Sequence, residues 1–293
     1  MSRAPMPLRD AGQLLLASRP VSWVNTAFPF AAAYFLTTRE VDAVLIVGTL
    51  YFLIPYNLAM YGINDVFDYA SDLANPRKGG IEGALLPPRL HRATILVAVL
   101  TNVPFLVFLL GAGTPAVWAA LGVSIFGVIA YSAPGLRFKE RPFLDSATSS
   151  LHFVSPAIVG LTLAGAAPTP GVVLVLASFF LWGMAAHAFG AVQDIAPDRE
   201  AGIASVATAI GARTTVRAAI YAWGAAGLLL LFTPWPGPWA ALLVLPYVAN
   251  ALPWWNVDDD SAATTNRAWR RFIALNYVTG FLTTMLLIAV RMS

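Results

Sequence analysis

The stretch GVVLVLASFFLWGMAAHAFGA, residues 171–191, decides the fold. It contains no Asp, Glu, Lys or Arg, and as a helix rising about 1.5 Å per residue it crosses the ~30 Å hydrocarbon core of a bilayer. Its apolar residues lie on every side, not along one stripe, so it has no water-facing surface and lipid is the solvent it fits.

Eight further stretches read the same way. With 171–191 they give nine spans, over about residues 21–38, 43–63, 93–111, 115–131, 146–165, 216–233, 238–256 and 272–290. Composition agrees: 58% of the 293 residues are hydrophobic and 11% charged, against about 25% charged in a soluble domain. Proline and glycine mark the short connections, as in Gly111-Ala112-Gly113-Thr114-Pro115 and Ala167-Pro168-Thr169-Pro170. No linker interrupts the pattern, so residues 1–293 read as a single all-α membrane domain.

Leu14 to Ala17 is too short to span, and the first twenty residues read as an interfacial helix or arm. Arg3, Arg9 and Arg19 before Ala31-Ala32-Ala33 imitate a secretory leader, but the eight later spans need the first in place to keep their orientation. Of 18 basic residues, all but Arg39 and Arg291 fall in the N-terminal arm or in the loops after spans two, four, six and eight. That asymmetry puts the N-terminus in the cytoplasm and the C-terminus outside. Of 15 acidic residues, only Glu40 and Asp42 fall on the outer side, so the chemistry opens to the cytoplasm.

The net charge of +3 comes without a basic stripe of interleaved aromatics, which argues against nucleic acid as partner. The absence of cysteine excludes disulfides, thiolate nucleophiles and iron–sulfur clusters.

Span two ends in Asn64-Asp65-Val66-Phe67-Asp68-Tyr69-Ala70-Ser71-Asp72. Helical spacing puts Asp65, Asp68 and Asp72 on one side with Asn64 alongside. Carboxylates so close repel one another, and a hard divalent cation with oxygen ligands answers that repulsion. Gln193-Asp194-Ile195-Ala196-Pro197-Asp198-Arg199-Glu200, at the same end of span six, repeats the amide and the spaced acids. Together the two segments read as a cradle for Mg²⁺ and a diphosphate, with Asn64, Asp65, Asp68, Asp72, Gln193, Asp194 and Asp198 as metal-side ligands. Asn57 and Tyr61 continue the polar stripe inward toward an acceptor cleft.

Cations for the diphosphate lie close by: Arg77 and Lys78 after the first segment, Arg199 within the second, and Tyr131, Arg137 and Lys139 in the loop after span four. His187, two helical turns before Asp194, is placed to accept a proton, although a structural hydrogen bond inside the bundle explains it equally well. His152 and Asn25 read as packing or pocket-lining residues, and Asp258-Asp259-Asp260 as a solvated loop.

At these residues the chain resembles the UbiA superfamily of intramembrane prenyltransferases. NDxxDxxxD at 64–72, the Tyr131-Ser132-Ala133-Pro134 loop running to Lys139, and the pair Asp194 and Asp198 carry the likeness. It implies a bundle of nine transmembrane helices, acidic loops facing the cytoplasm, and Mg²⁺-dependent prenyl transfer from an allylic isoprenoid diphosphate to a lipophilic acceptor. One departure stands out: many members carry a third Asp where this chain has Gly202. Within the superfamily, Ser18-Arg19-Pro20-Val21-Ser22-Trp23 and Asn75-Pro76-Arg77-Lys78-Gly79-Gly80 resemble lycopene elongases, which add C5 units from dimethylallyl diphosphate on the way to C50 carotenoids.

Two alternatives remain open at this point. A quinone precursor or another aromatic acceptor calls for a dedicated base, and His187 is the one candidate. A secondary transporter also needs many spans, but it places its charges near the bilayer midplane, whereas here they gather at one boundary.

Overall fold

A computed structural model describes residues 8–74 and 85–292. Among them every regular element is helical. Two compact units emerge, one of Met1–Arg137 with Ser155–Ala166, the other of Phe138–Val154 with Ala167–Ser293.

The first unit holds α1 (Leu8–Ala17), α2 (Val24–Thr38), α3 (Ala43–Phe67), α4 (Tyr69–Ala74), α5 (Pro88–Ala112) and α6 (Pro115–Ser132). It also takes the C-terminal part of α7 (Leu144–Leu163), whose N-terminal part belongs to the second unit. The second unit continues with α8 (Pro170–Glu200), α9 (Val206–Ile210), α10 (Ala212–Leu230), α11 (Leu245–Ala251) and α12 (Asn266–Met292).

Five segments are long and apolar enough to cross a membrane unaided: Ala43–Phe67, Pro88–Ala112, Pro115–Ser132, Pro170–Glu200 and Ala262–Val290. The other four expected spans are helical but shorter or more polar. Helix α2 has 15 residues, α7 opens with Asp145, Ser146, Thr148, Ser149 and Ser150, and α10 opens with Arg213 and Arg217. The expected span 238–256 is not one continuous α-helix: Gly237–Val244 is a 3-10 stretch, α11 comes next, and Leu252–Trp254 tightens again. Pro238, Pro246 and Pro253 each remove a backbone donor, which explains the interruptions. Leu100, Val107, Phe281 and Leu282 on α5 and α12 stay exposed, as side chains meant for lipid do.

The N-terminal arm is more firmly held than an interfacial helix. Leu14 and Ala17 are buried with Leu86 and Leu90, and Arg89 makes a two-pronged ion pair with Asp10 at 2.6 and 2.7 Å. Asp42 caps α3 by accepting the Leu45 N–H at 2.8 Å and also accepts the Tyr34 hydroxyl at 2.7 Å, closing the turn from α2. Gly160 of α7 lets the α2 backbone come close, since a Cβ there would stand 2.7 Å from the Phe30 carbonyl oxygen. Backbone cannot swing aside as a side-chain tip does, and overpacking typically costs about 1–3 kcal/mol. Gly160→Leu therefore lowers the melting temperature in detergent and the folded yield, read by fluorescence-detected size exclusion; an unchanged melt contradicts this packing.

Helix α3 is broken midway, and the break sets the direction of its last turns. Pro55 has no N–H to give, and two asparagines bind carbonyls around the break. Asn57 Nδ2 donates to Phe52 O at 2.8 Å, Leu53 O at 3.0 Å and Thr26 Oγ1 at 2.7 Å, while Asn102 Nδ2 donates to Pro55 O at 2.7 Å. The next turn, Leu58–Gly62, is a wide π turn, which rotates all later side chains around the axis. The second unit is instead centred on stacked aromatics: Trp223, Tyr247 and Phe272 are buried, with ring centroids 5.8 Å (Trp223 to Tyr247) and 5.2 Å (Tyr247 to Phe272) apart.

Candidate active site

The π turn delivers Ile63–Phe67 with Asp65 turned inward, 1% exposed. Asn64 Nδ2 donates to Asp68 Oδ2 at 2.8 Å across one helical turn. The helix does not run unbroken through the motif. It pauses at Asp68, φ −99° and ψ 0°, and resumes as α4, which carries Asp72. This bridge region of backbone space is sparsely used and recurs at active sites.

Two arginines reach the acids. Arg19 Nη2 stands 3.1 Å from Asp65 Oδ1, and its guanidinium lies over the Tyr61 ring at 4.2 Å. Arg137 Nη2 stands 3.6 Å from Asp68 Oδ1. Both arginines occupy left-handed backbone conformations, with φ 51° and 39°, which non-glycine residues adopt at a cost of about 1–3 kcal/mol. At Arg19 the strain has a visible cause: Pro20 disfavours right-handed helix before it, and the Trp23 indole N–H donates to Ser18 O at 3.1 Å. Arg19 is a candidate site residue that the sequence reading did not single out, because a basic residue ahead of a first span reads as a topology signal; its place before Pro20 was the available clue.

In the second unit, α8 tightens into a 3-10 turn at Val192–Asp194 and pauses at Asp194, φ −97° and ψ 2°. The backbone device at Asp68 is thus repeated at Asp194, each time with an aspartate four residues on. Gln193 is buried, with Oε1 accepting from Asn266 Nδ2 at 2.5 Å and Nε2 donating to Gly190 O at 3.0 Å. Gly202, where the resemblance led one to expect an acid, has φ 69°. The Ile203 N–H bonds back to Asp198 O at 2.8 Å, so this position ends the helix in a left-handed turn that favours glycine.

Arg199 pairs with Asp259 at 2.7 Å and donates to Thr208 O at 3.3 Å. Asp259 also accepts the Ala212 N–H at 2.7 Å, capping α10. The run Asp258–Asp260 was expected to be a merely solvated loop; for Asp259 that is corrected, because its carboxylate ties a helix start to the second acidic segment. The Ala212 N–H, with Arg199 beside it, holds the Asp259 carboxyl below its ordinary range. Such a group stabilises the fold above the unfolded carboxylate value of about 3.9, and the contribution disappears as pH falls through the lower folded value. Asp259→Ala costs about 1 kcal/mol at neutral pH, and the gap between its melt and that of the parent closes in acid; a pH-independent gap contradicts the assignment.

The other expected residues are scattered around these segments. Tyr131 is half-buried in the last turn of α6, and Lys139 Nζ lies 4.0 Å from Glu140 Oε1. Asn57 is fully buried with its amide engaged as described, Tyr61 lies under Arg19, His152 is buried, and Asn25 is exposed. His187 Nδ1 is 3.1 Å from Ser146 Oγ. Arg77 and Lys78 lie outside the described residues.

Among the described residues no three His, Asp or Glu side chains gather closely enough to enclose an ion by themselves. The donors nevertheless fit magnesium, which binds through one or two carboxylates and leaves its other positions to phosphate and water. Asn64 Oδ1 is buried without a hydrogen-bond partner among the described residues, while its amide nitrogen is engaged by Asp68, which leaves in the motif an unused oxygen of the kind a hard cation takes.

Comparison with known proteins places the chain. The model of the UbiA prenyltransferase family matches residues 26–276. Over 276 residues, 94% of its length, the chain is 56% identical to a C(50) beta-cyclic carotenoids biosynthesis protein of Dietzia sp. (strain CQ4), of which it spans 64%. It is 50% identical over 279 residues to a lycopene elongase/hydratase of Corynebacterium glutamicum, covering 94% of this chain and 96% of that protein. Among solved structures, a UbiA homologue of Archaeoglobus fulgidus bound to DMAPP and Mg²⁺ superposes with a TM-score of 0.64 at 20% identity, covering 91% of this chain and 98% of that one. An apo UbiA homologue of Aeropyrum pernix gives 0.60 at 17%, covering 89% and 98%. At those identities the likeness speaks for the fold, and the family match over most of the sequence speaks for descent: this chain belongs to the UbiA prenyltransferase family.

Proposed function

We propose that this enzyme moves a C5 prenyl group from dimethylallyl diphosphate to the ends of lycopene, with Mg²⁺ held by Asn64, Asp65, Asp68 and Asp72 on one side and Gln193, Asp194 and Asp198 on the other. The observation that carries a diphosphate site is the repeated device: two helices that pause at an aspartate in the same backbone conformation, each with a second aspartate one turn on. The acceptor is argued from the relatives, whose names include lycopene elongase/hydratase. In this reading the chain forms one catalytic domain of nine spans, with its N-terminus and its acidic segments on the cytoplasmic side and its C-terminus outside.

Bound magnesium supplies positive charge to the departing diphosphate. Arg77, Lys78, Arg137, Lys139 and Arg199 add charge-assisted hydrogen bonds to its oxygens, and Tyr131 adds a hydroxyl. Arg19 and Tyr61 hold the Asp65 carboxylate in one orientation, so that little reorganisation is needed as charge develops. The C1–O bond of the donor breaks with its electron pair leaving on the diphosphate. The terminal alkene of the acceptor then supplies the pair for the new C–C bond, and the tertiary cation that results is discharged by losing a proton or by adding water and then losing a proton. Exclusion of water is required so that the allylic cation is not captured first. Expression in cells that accumulate lycopene tests the reading: C45 and C50 carotenoids are expected by mass spectrometry, and unchanged lycopene with confirmed expression and donor supply removes it.

A further inference from the structure

The segment that leads into α12 grips the second acidic stretch at both of its ends. At one end Asn266 Nδ2 donates to Gln193 Oε1, and Gln193 Nε2 donates to Gly190 O, which ties the amide back onto the turn before Asp194. Trp269, one helical turn after Asn266, lies against Gly190, where a Cβ would stand 2.9 Å from its ring. Residues three apart share a helix face, so Asn266 and Trp269 meet Gln193 and Gly190 as two matched pairs. At the other end Asp259 holds Arg199 at 2.7 Å. Between these bonds the turn Ala262–Thr265, with Ala262 and Thr265 buried, packs on Val192–Asp194. The bracket thus runs along Gln193–Arg199, and Asp194 and Asp198 are the carboxylates it spans.

We propose that Asn266 is a positioning residue for the cation site: by fixing the Gln193 amide and the tight turn Val192–Asp194, it presets Asp194 before any cation arrives. The inference rests on the reading of Gln193, Asp194 and Asp198 as metal-side ligands. An amide oxygen has two lone pairs, so the bond from Asn266 orients Gln193 Oε1 and leaves one pair for a cation. A 3-10 turn has poorer hydrogen-bond geometry than an α-helix, and it needs an outside hold to persist at the end of a helix as long as α8. Without Asn266 the turn is free to relax toward the regular helix, which rotates Asp194 about the axis. Groups that hydrogen-bond to metal ligands set ligand direction, and losing one typically lowers metal affinity by about 10–100-fold. A second tie on the same helix provides the contrast. Asn250 Nδ2 donates to Ala268 O at 2.9 Å, which holds α12 two residues further on through a bond that does not involve the acidic stretch.

The test titrates Mn²⁺ into the purified full-length protein with a non-cleavable thiodiphosphate of the C5 donor, and free Mn²⁺ is read by electron paramagnetic resonance, which needs no turnover. Asn266→Ala is expected to weaken Mn²⁺ binding about tenfold. Asn266→Ser, too short to reach Gln193, carries the same expectation and serves where the alanine variant does not fold. Asn250→Ala is expected to lower the melting temperature and leave Mn²⁺ binding unchanged. On a Gln193→Ala background Asn266→Ala is expected to add no further loss, because the two side chains act as one unit. Native Mn²⁺ affinity in the Asn266 variants overturns the bracket alone. An equal loss in Asn250→Ala also overturns it, by assigning the effect to a loosened α12, and so do Asn266→Ala and Gln193→Ala losses that simply add. A native protein that binds no Mn²⁺ with the analogue overturns the metal reading, and the bracket with it.

Discussion

Replacing Asp68 or Asp194 with alanine lowers prenyl transfer by at least about 10³-fold, on the scale of removing an electrostatic stabiliser of a transition state, while the protein stays folded in the membrane. Asp68 is 5% exposed, accepts from Asn64 and faces Arg137. Asp194 repeats its backbone conformation in the other unit. Neither belongs to the apolar cores around Phe30 and Tyr51 or around Trp223 and Phe272, so truncation leaves those cores intact. Turnover per inserted molecule, with circular dichroism and size exclusion as controls, measures the loss. Retained turnover in both variants contradicts a metal-held diphosphate.

Arg19→Ala is expected to reduce both activity and stability, with turnover down about 100-fold. The reason is the depth of its partner. Asp65 is 1% exposed, and removing the cation from a buried ion pair costs about 3–5 kcal/mol. Arg19→Lys does not restore the parent, because the planar guanidinium both pairs with Asp65 and lies on the Tyr61 ring, a combination that a point-charged ammonium does not reproduce. Thermal melting and steady-state kinetics on both variants check this. Full rescue by lysine would show that charge alone matters at residue 19.

Much of this was legible in the sequence, for a physical reason. A carboxylate near lipid is costly, so Asp65, Asp68, Asp194 and Asp198 at the ends of apolar runs stood out as candidates, and the uninterrupted run 171–191 identified its solvent. The family placement also answers the transporter alternative that a count of spans left open. What stayed hidden depended on long-range packing. The π turn at Leu58–Gly62 and the pauses at Asp68 and Asp194 have no local composition signal. Arg19 reads as one more topology arginine until its backbone bends it onto Asp65. Asp259 sits in a run of three acids and becomes a cap only because Ala212, 47 residues earlier in the chain, brings its N–H to it. The interruptions of 238–256 were visible in its prolines, yet hydropathy outweighed them.

The central claim is that the two acidic helix ends share cations around one diphosphate. Anomalous diffraction from crystals grown with Mn²⁺ in place of Mg²⁺ and a non-cleavable thiodiphosphate of the C5 donor tests it most directly. The account predicts anomalous peaks ligated from residues 64–72 and from residues 193–198 and bridged by the same diphosphate. Peaks confined to one segment, with the other too distant to reach the analogue, would contradict it.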